Sequence, residues 1–169
     1  CHNRAVELEQ AIGELGREIL ARAEETVDVI LPAYTHMQRA MPTRMAHQLA
    51  AYLNMLRRDQ REYHRASLDA RLGGPLGSGA CTGNSFPVDM ESLAQATLPL
   101  VAAHGYGHGE PSVNSMDAVS NRDFALDLVF ACAKTMTHLS RMSEDLILWS
   151  SAEFGFVTLG DAVTTGSSI

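Results

Sequence analysis

Apolar residues recur near the start of the chain at Leu8, Ile12, Leu15, Ile19, Ala23, Val27 and Ile30. Spacings of three and four place them on one stripe of a long helix. Pro32 is expected to end it, because proline lacks an N–H and disfavours helical geometry in the preceding residue. A second helix is expected to open at Pro42, a residue suited to the first helical position. It carries Met45, Leu49, Leu53, Leu56 and Tyr63 on one face, with Arg57, Arg58, Asp59, Arg61 and Glu62 read as solvated charges beside them. Five glycines between positions 73 and 83 make the next stretch a loop with close backbone packing. A shorter helix is expected from about Asp89 to Ala103. Ser120-Asn121-Arg122-Asp123 reads as a capping-box variant. It opens a stripe through Phe124, Leu128, Ala131, Thr135, Leu139, Met142, Leu146 and Trp149. At ~1.5 Å per residue that helix is about 40 Å long. No strand alternation competes, and Phe154-Gly155-Phe156-Val157 is too short to assign. The pattern predicts an all-α, long-helix bundle.

Composition narrows the function classes. With 46% hydrophobic residues the 169-residue chain can bury a core, so disorder is not expected. The formal net charge is −7 and no Lys/Arg run occurs, which argues against nucleic acid or an anionic membrane as partner. No apolar stretch approaches the ~18 residues of a membrane span. Cys1, Cys81 and Cys132 are odd in number and widely spaced, which favours reduced thiols and a cytoplasmic location. The first residue is not Met and the last five are small and loop-like, so the chain is expected to be an internal piece of a longer one.

Candidate chemistry gathers outside the helices. Tyr34-Thr35-His36-Met37-Gln38-Arg39 lies between Pro32 and Pro42. A histidine titrating near ~6.5 can give or take a proton, and Thr35 and Gln38 can orient a carboxylate. A loop histidine capping a helix end is the alternative. Gly166-Ser167-Ser168 offers hydroxyls, although serine is a poor base without nearby cations or N–H donors. By composition alone it is an ordinary Ser-rich loop. Gly77-Ser78-Gly79 lacks the Gly-Lys-Ser/Thr of a phosphate loop and reads as tight packing. His104 and His108 have the bare makings of a metal site but no third ligand. Glu144-Asp145 reads as solvated or structurally paired rather than a catalytic pair. His47, His64 and His138 fall on helices as surface or packed residues.

These segments together carry a resemblance. Pro32-Ala33-Tyr34-Thr35-His36-Met37-Gln38-Arg39-Ala40 resembles the Thr-His loop of the fumarase/aspartase superfamily, with flanks like its argininosuccinate lyase branch. Leu76 to Ala80, continuing to Asp89, is similar to a second signature, and Asn114 to Phe124 to a third. Thr137 to Met142 and Glu144 to Trp149 resemble the long central helix. Thr165-Gly166-Ser167-Ser168-Ile169 resembles the opening of the flexible signature loop.

The resemblance implies a partial central helical-bundle domain over residues 1–169, with amino- and carboxy-terminal domains elsewhere. It implies a β-elimination that splits argininosuccinate into arginine and fumarate. Ser167 is then the proton-abstracting base, His36 the second acid/base group or its organiser, and Thr35 a substrate contact. The acid and base labels of the His/Ser pair remain interchangeable. Neither metal nor organic cofactor is implied. The expected partners are a small-molecule substrate and further copies of the chain in a homotetramer, each site drawing on three subunits. Residues 1–169 by themselves are expected to be inactive, because the cations of the signature loop follow Ile169 in the family pattern. Ala33, Met41, Met90 and the long Ala96–Pro111 segment depart from that pattern. Adenylosuccinate lyase, a carboxymuconate cycloisomerase, a non-catalytic relative of the crystallin kind and a bare helical oligomerisation module are the competing readings.

Overall fold

The computed structural model describes residues 1–71, 74–103 and 113–166. In chain order they form α1 (His2–Glu25), β1 (Ile30–Thr35), β2 (Gln38–Arg44), α2 (Met45–Asp69), α3 (Met90–Ala103), α4 (Ser115–Ser120) and α5 (Asp123–Ser150). A single 3-10 turn follows at Asp161–Val163. The predicted long-helix architecture is present, with one small antiparallel sheet added to it.

Two compact units divide the chain: Cys1–Leu15 with Arg57–Ala133, and Gly16–Leu56 with Lys134–Ile169. In the first, Ala5 and Ile12 of α1, Tyr63 and Ala66 of α2, Ala118 of α4 and Ala131 of α5 are buried. In the second the buried set is Ile19, Ala23, Leu31, Met45, Tyr52, Leu56 and Trp149. The spacing of these residues on α1, α2 and α5 is the 3–4 repeat read from the sequence. Gly16 is buried because α2 passes close by: a Cβ there would lie 3.4 Å from Leu53 Cδ1.

Several boundaries differ from the sequence expectation, each for a local reason. α1 stops at Glu25 rather than at Pro32. The Thr26 hydroxyl donates to the Arg22 carbonyl at 2.7 Å, and the β-branched Val27, Val29 and Ile30 lead into extended chain. β1 and β2 then pair, where no strand was expected. Pro42 lies in β2 opposite Pro32, and α2 begins only at Met45, whose N–H donates to the Val29 carbonyl at 2.9 Å. Two prolines facing each other donate nothing to the ladder, which confines such a pair to an edge ribbon. Asp59 is completely buried, not solvated. At the start of α5 the capping side chain is Asn121, whose Oδ1 accepts the Asp123 N–H at 2.8 Å. Ser120 instead closes the short α4, its hydroxyl donating back to the Met116 carbonyl at 2.9 Å. α4 itself was not foreseen; its N-cap Asn114 accepts the N–H groups of Met116 and Asp117 at 3.0 and 3.1 Å.

The glycine loop is closely packed, as its composition predicts. Gly77, Gly79 and Gly83 have φ of 79°, 59° and 81°, and Ser78 between them is buried. The Ser115 hydroxyl ties the loop to α4 by donating to the Cys81 carbonyl at 2.6 Å.

Within the second unit the Tyr52 hydroxyl donates to the Asp145 carboxylate, so Asp145 is structurally paired. Burial, and then that hydrogen bond, push the Tyr52 phenol well above its ordinary range, against a smaller opposing pull from Arg141. A phenol harder to ionise in the folded than in the unfolded chain stabilises the fold fully below ~10, and the contribution is lost as pH climbs beyond that. Tyr52→Phe is therefore expected to cost about 1–3 kcal/mol at neutral pH by removing Asp145's donor. It should also flatten the alkaline loss of stability, read from thermal unfolding across neutral to strongly alkaline pH. A variant as stable as the parent, with the same alkaline slope, would contradict this.

Candidate functional site

The ladder pairs Ile30 with Arg44, Leu31 with Thr43, Pro32 with Pro42, Tyr34 with Arg39, and Thr35 with Gln38. The register shifts between Pro32 and Tyr34, so Ala40 and Met41 of β2 stand opposite the single Ala33. Such bulges increase local twist and re-aim the strand end. His36 and Met37 alone join the strands, at φ 52° and 60°. Two positive φ values in a two-residue connection are the geometry that matches strand twist, and Asn-Gly suits it best. Histidine tolerates the left-handed region better than most residues, whereas methionine does not.

Thr35 and His36 thus sit side by side at an exposed tip, His36 with φ 52°. An imidazole so placed can exchange a proton with a molecule arriving from solvent, and the Thr35 hydroxyl beside it can give or accept a hydrogen bond. Met37→Gly should relieve the strained position and stabilise the hairpin by about 0.5–1 kcal/mol. A raised unfolding temperature checks this; a lowered one would mean that the Met37 side chain contributes more than its backbone costs.

Behind the tip, Tyr34 is half-buried against Phe154 and Phe156. Its ring centroid lies 5.0 Å from that of Phe154 with planes at 65°, and 6.3 Å from that of Phe156 at 46°. The two phenylalanines are 5.6 Å apart at 77°. These separations and tilts are those that aromatic quadrupoles favour. Arg39 Nε donates to the Tyr34 hydroxyl at 3.4 Å across the ladder. Arg44, farther back, donates to the Val27 carbonyl at 2.7 Å and meets Asp28 at 3.2 Å. The sequence reading left Phe154 and Phe156 unassigned. Their signal was two aromatic residues flanking a glycine shortly after a long helix, where a glycine at φ 58° turns the chain.

Thr35 and His36 are brought together with Gln38 and Arg39 on the hairpin. Ser167 lies outside the described residues, as do His104 and His108. Among the described residues no three His, Cys, Asp or Glu side chains gather as a metal-ligand set, and no helix is long and apolar enough to cross a membrane. His64 meets Glu9 at 3.2 Å on the surface and His2 bonds the half-buried Ser67 carbonyl at 3.0 Å, both contacts between α1 and α2.

Compared with known families, residues 1–169 match throughout the one described as Lyase. The chain belongs to the Lyase family. This Lyase-family chain is 47% identical over 152 residues to the argininosuccinate lyase of Pseudoalteromonas atlantica, covering 89% of the chain and 31% of that relative. It is 44% identical over 167 residues to the argininosuccinate lyase of Deinococcus radiodurans, covering 98% and 33%. The chain therefore spans about a third of the length of the curated relatives it matches. Among solved structures it superposes on EDDS lyase in complex with formate with a TM-score of 0.84 at 24% identity, over 99% of the chain and 32% of that protein. A class II fumarase from Schistosoma mansoni gives 0.68 at 24% identity over 86% of the chain and 33% of that protein. These likenesses establish the fold: this Lyase-family chain shares its helical architecture with part of each of those two proteins.

Proposed function

We propose that the chain is part of an argininosuccinate lyase, acting in the cytoplasm and splitting argininosuccinate into arginine and fumarate. The observation that carries this is identity of 42–47% to argininosuccinate lyases over 89–98% of the chain.

The chemistry is a balanced elimination. A base takes a proton from the succinyl carbon next to a carboxylate, and the electron pair collects on that carboxylate as a dianionic aci form. The pair then forms the carbon–carbon double bond while the bond to the guanidino nitrogen breaks. An acid supplies one proton to the departing nitrogen. Donors and cations placed where the dianion develops lower the barrier. In this reading Ser167 takes the proton, His36 delivers or organises the second, and Thr35 holds the substrate. The exposed tip carrying Thr35 and His36 supports those roles, since a proton-transfer group must be reachable by its substrate. Residues 1–169 then form part of the central helical-bundle domain.

The same reading assigns further copies of the chain as partners in a homotetramer. Leu126, Val129, Phe130, Met136 and Ile147 of α5 are 60–68% exposed and recur at helical spacing on the side away from Ala131, Thr135 and Trp149. Exposed apolar side chains at this spacing suit burial against an equivalent helix.

The test is to express the complete reading frame and follow fumarate release from argininosuccinate, with adenylosuccinate alongside. Release from argininosuccinate alone is expected. Release only from adenylosuccinate would keep the elimination and change the substrate, and release from neither would remove the catalytic assignments.

A further inference from the structure

Tyr34 is the last ladder residue before the Thr35-His36-Met37 tip that is half-buried. Everything beyond it in the hairpin, from Thr35 to Arg39, is exposed. The rings that hold Tyr34 come from one short segment, Phe154 and Phe156, on either side of Gly155 at φ 58°. That segment is itself fastened to the end of α5: the N–H groups of Phe156 and Val157 both donate to the Trp149 carbonyl, at 2.8 and 3.2 Å, and Trp149 is buried. The Gly155 N–H donates to the Ser151 carbonyl at 2.8 Å. The hydrogen-bonded segment after α5 thus presents two rings, edge to face with one another, to the side chain of the residue next to the tip.

We propose that Tyr34, Phe154 and Phe156 form a positioning clasp that sets the orientation of the His36-bearing turn, and through it the rate of proton transfer. A two-stranded ribbon is marginally stable by itself and needs a third element to fix it. With the bulge at Ala33 twisting the ribbon, the Tyr34 ring is the lever by which the fixing is transmitted to the tip. The clasp works by ring contact. The Arg39 Nε–H to Tyr34 hydroxyl bond is long at 3.4 Å and exposed, so it is secondary. None of the three residues touches the reacting atoms in this scheme. The inference rests on the proposed elimination for its kinetic readout and on the hairpin alone for its structural one.

The experiment uses the protein expressed from its complete reading frame. Tyr34→Leu and Phe156→Leu keep apolar bulk but lose the ring geometry, while Tyr34→Phe keeps the ring and loses only the hydroxyl. Both leucine variants are expected to lower kcat for fumarate release at least about tenfold, with KM changed by less than about threefold. A small displacement of a proton-transfer group costs rate more than affinity. Hydrogen exchange of the amides from Tyr34 to Arg39 should accelerate in the same variants, and Tyr34→Phe should restore both rate and protection. Parental kcat and protection in the leucine variants would overturn the clasp. So would a Tyr34→Phe loss as large as that of Tyr34→Leu, because the hydroxyl would then be the working part. A parent that releases no fumarate would sink the proposed function, and the exchange data would still decide whether the clasp holds the turn. If a leucine variant fails to fold, Phe154→Tyr, which keeps a ring of the same outline, must preserve kcat and protection or the clasp is wrong.

Discussion

His36→Asn is expected to lower fumarate release by about 10²–10⁴-fold in the complete protein, the range attached to a lost general acid or base. Asparagine is the informative replacement because of where His36 sits. The position has φ 52°, and asparagine enters the left-handed region as readily as histidine does. The tight connection between β1 and β2 therefore survives, and the unfolding temperature should stay level or rise slightly. What is removed is a ring able to carry a proton at neutral pH, replaced by an amide that cannot. The loss should fall on kcat, with KM changed little. A variant within about threefold of the parent would show that His36 only shapes the turn. The assignment of Ser167 would then stand without its partner, and Thr35 would be the remaining polar group of the tip to examine.

Gly79→Ala is expected to destabilise the fold by about 2–4 kcal/mol, from two independent costs. Its φ of 59° is a conformation in which a Cβ crowds the following carbonyl, worth roughly 1–2 kcal/mol. The added Cβ would also lie 2.7 Å from the Gly83 carbonyl oxygen, a backbone atom that cannot swing aside as a side chain can. Gly83 is held by its own N–H, which donates to the Ser78 carbonyl at 2.8 Å. Gly77 makes a useful contrast: a Cβ there meets only Met90, through the movable end of its thioether chain. Gly74→Ala is the control, since nothing lies within 4 Å and its φ is not left-handed, and its effect should stay within about 0.5 kcal/mol. Denaturant unfolding of the two variants separates them. Equal stabilities would mean that the loop opens at little cost and that its glycines are not there for packing.

Met90 fits this loop in a way the sequence comparison alone did not suggest. In the structure its side chain covers Gly77, the left-handed position that begins the tight part of the loop. Ala33 and Met41, two of the other departures from the family pattern, fall at the bulge, where one strand carries an extra residue and side-chain identity is least constrained by pairing.

Much of the architecture was legible from residues taken a few at a time. The stripes of α1, α2 and α5 appear in the burial of Ile12, Ile19, Ala23, Leu56, Tyr63, Ala131 and Trp149, because helix periodicity is a local property set by rotation per residue. The glycine loop and the Thr-His segment were visible for the same reason. Pro, Gly and the residues around them restrict the backbone wherever they occur.

What only the tertiary structure decided depends on groups far apart in the chain. The hairpin was hidden because strand pairing is stabilised across the ladder, and the two prolines that exclude a helix also disguise a strand. Asp59 sits between arginines in the sequence and so looks solvated, yet its place on the Leu56–Tyr63 face of α2 buries it. Tyr34 meets Phe154 and Phe156 across more than a hundred intervening residues, a contact no periodicity can announce. The sequence by itself thus determined which segments form the long helices, that the glycine stretch is a loop, and which side chains are capable of proton chemistry. The tertiary structure determined what Tyr34, beside the His36 turn, packs against, because such contacts join remote segments that no local pattern links.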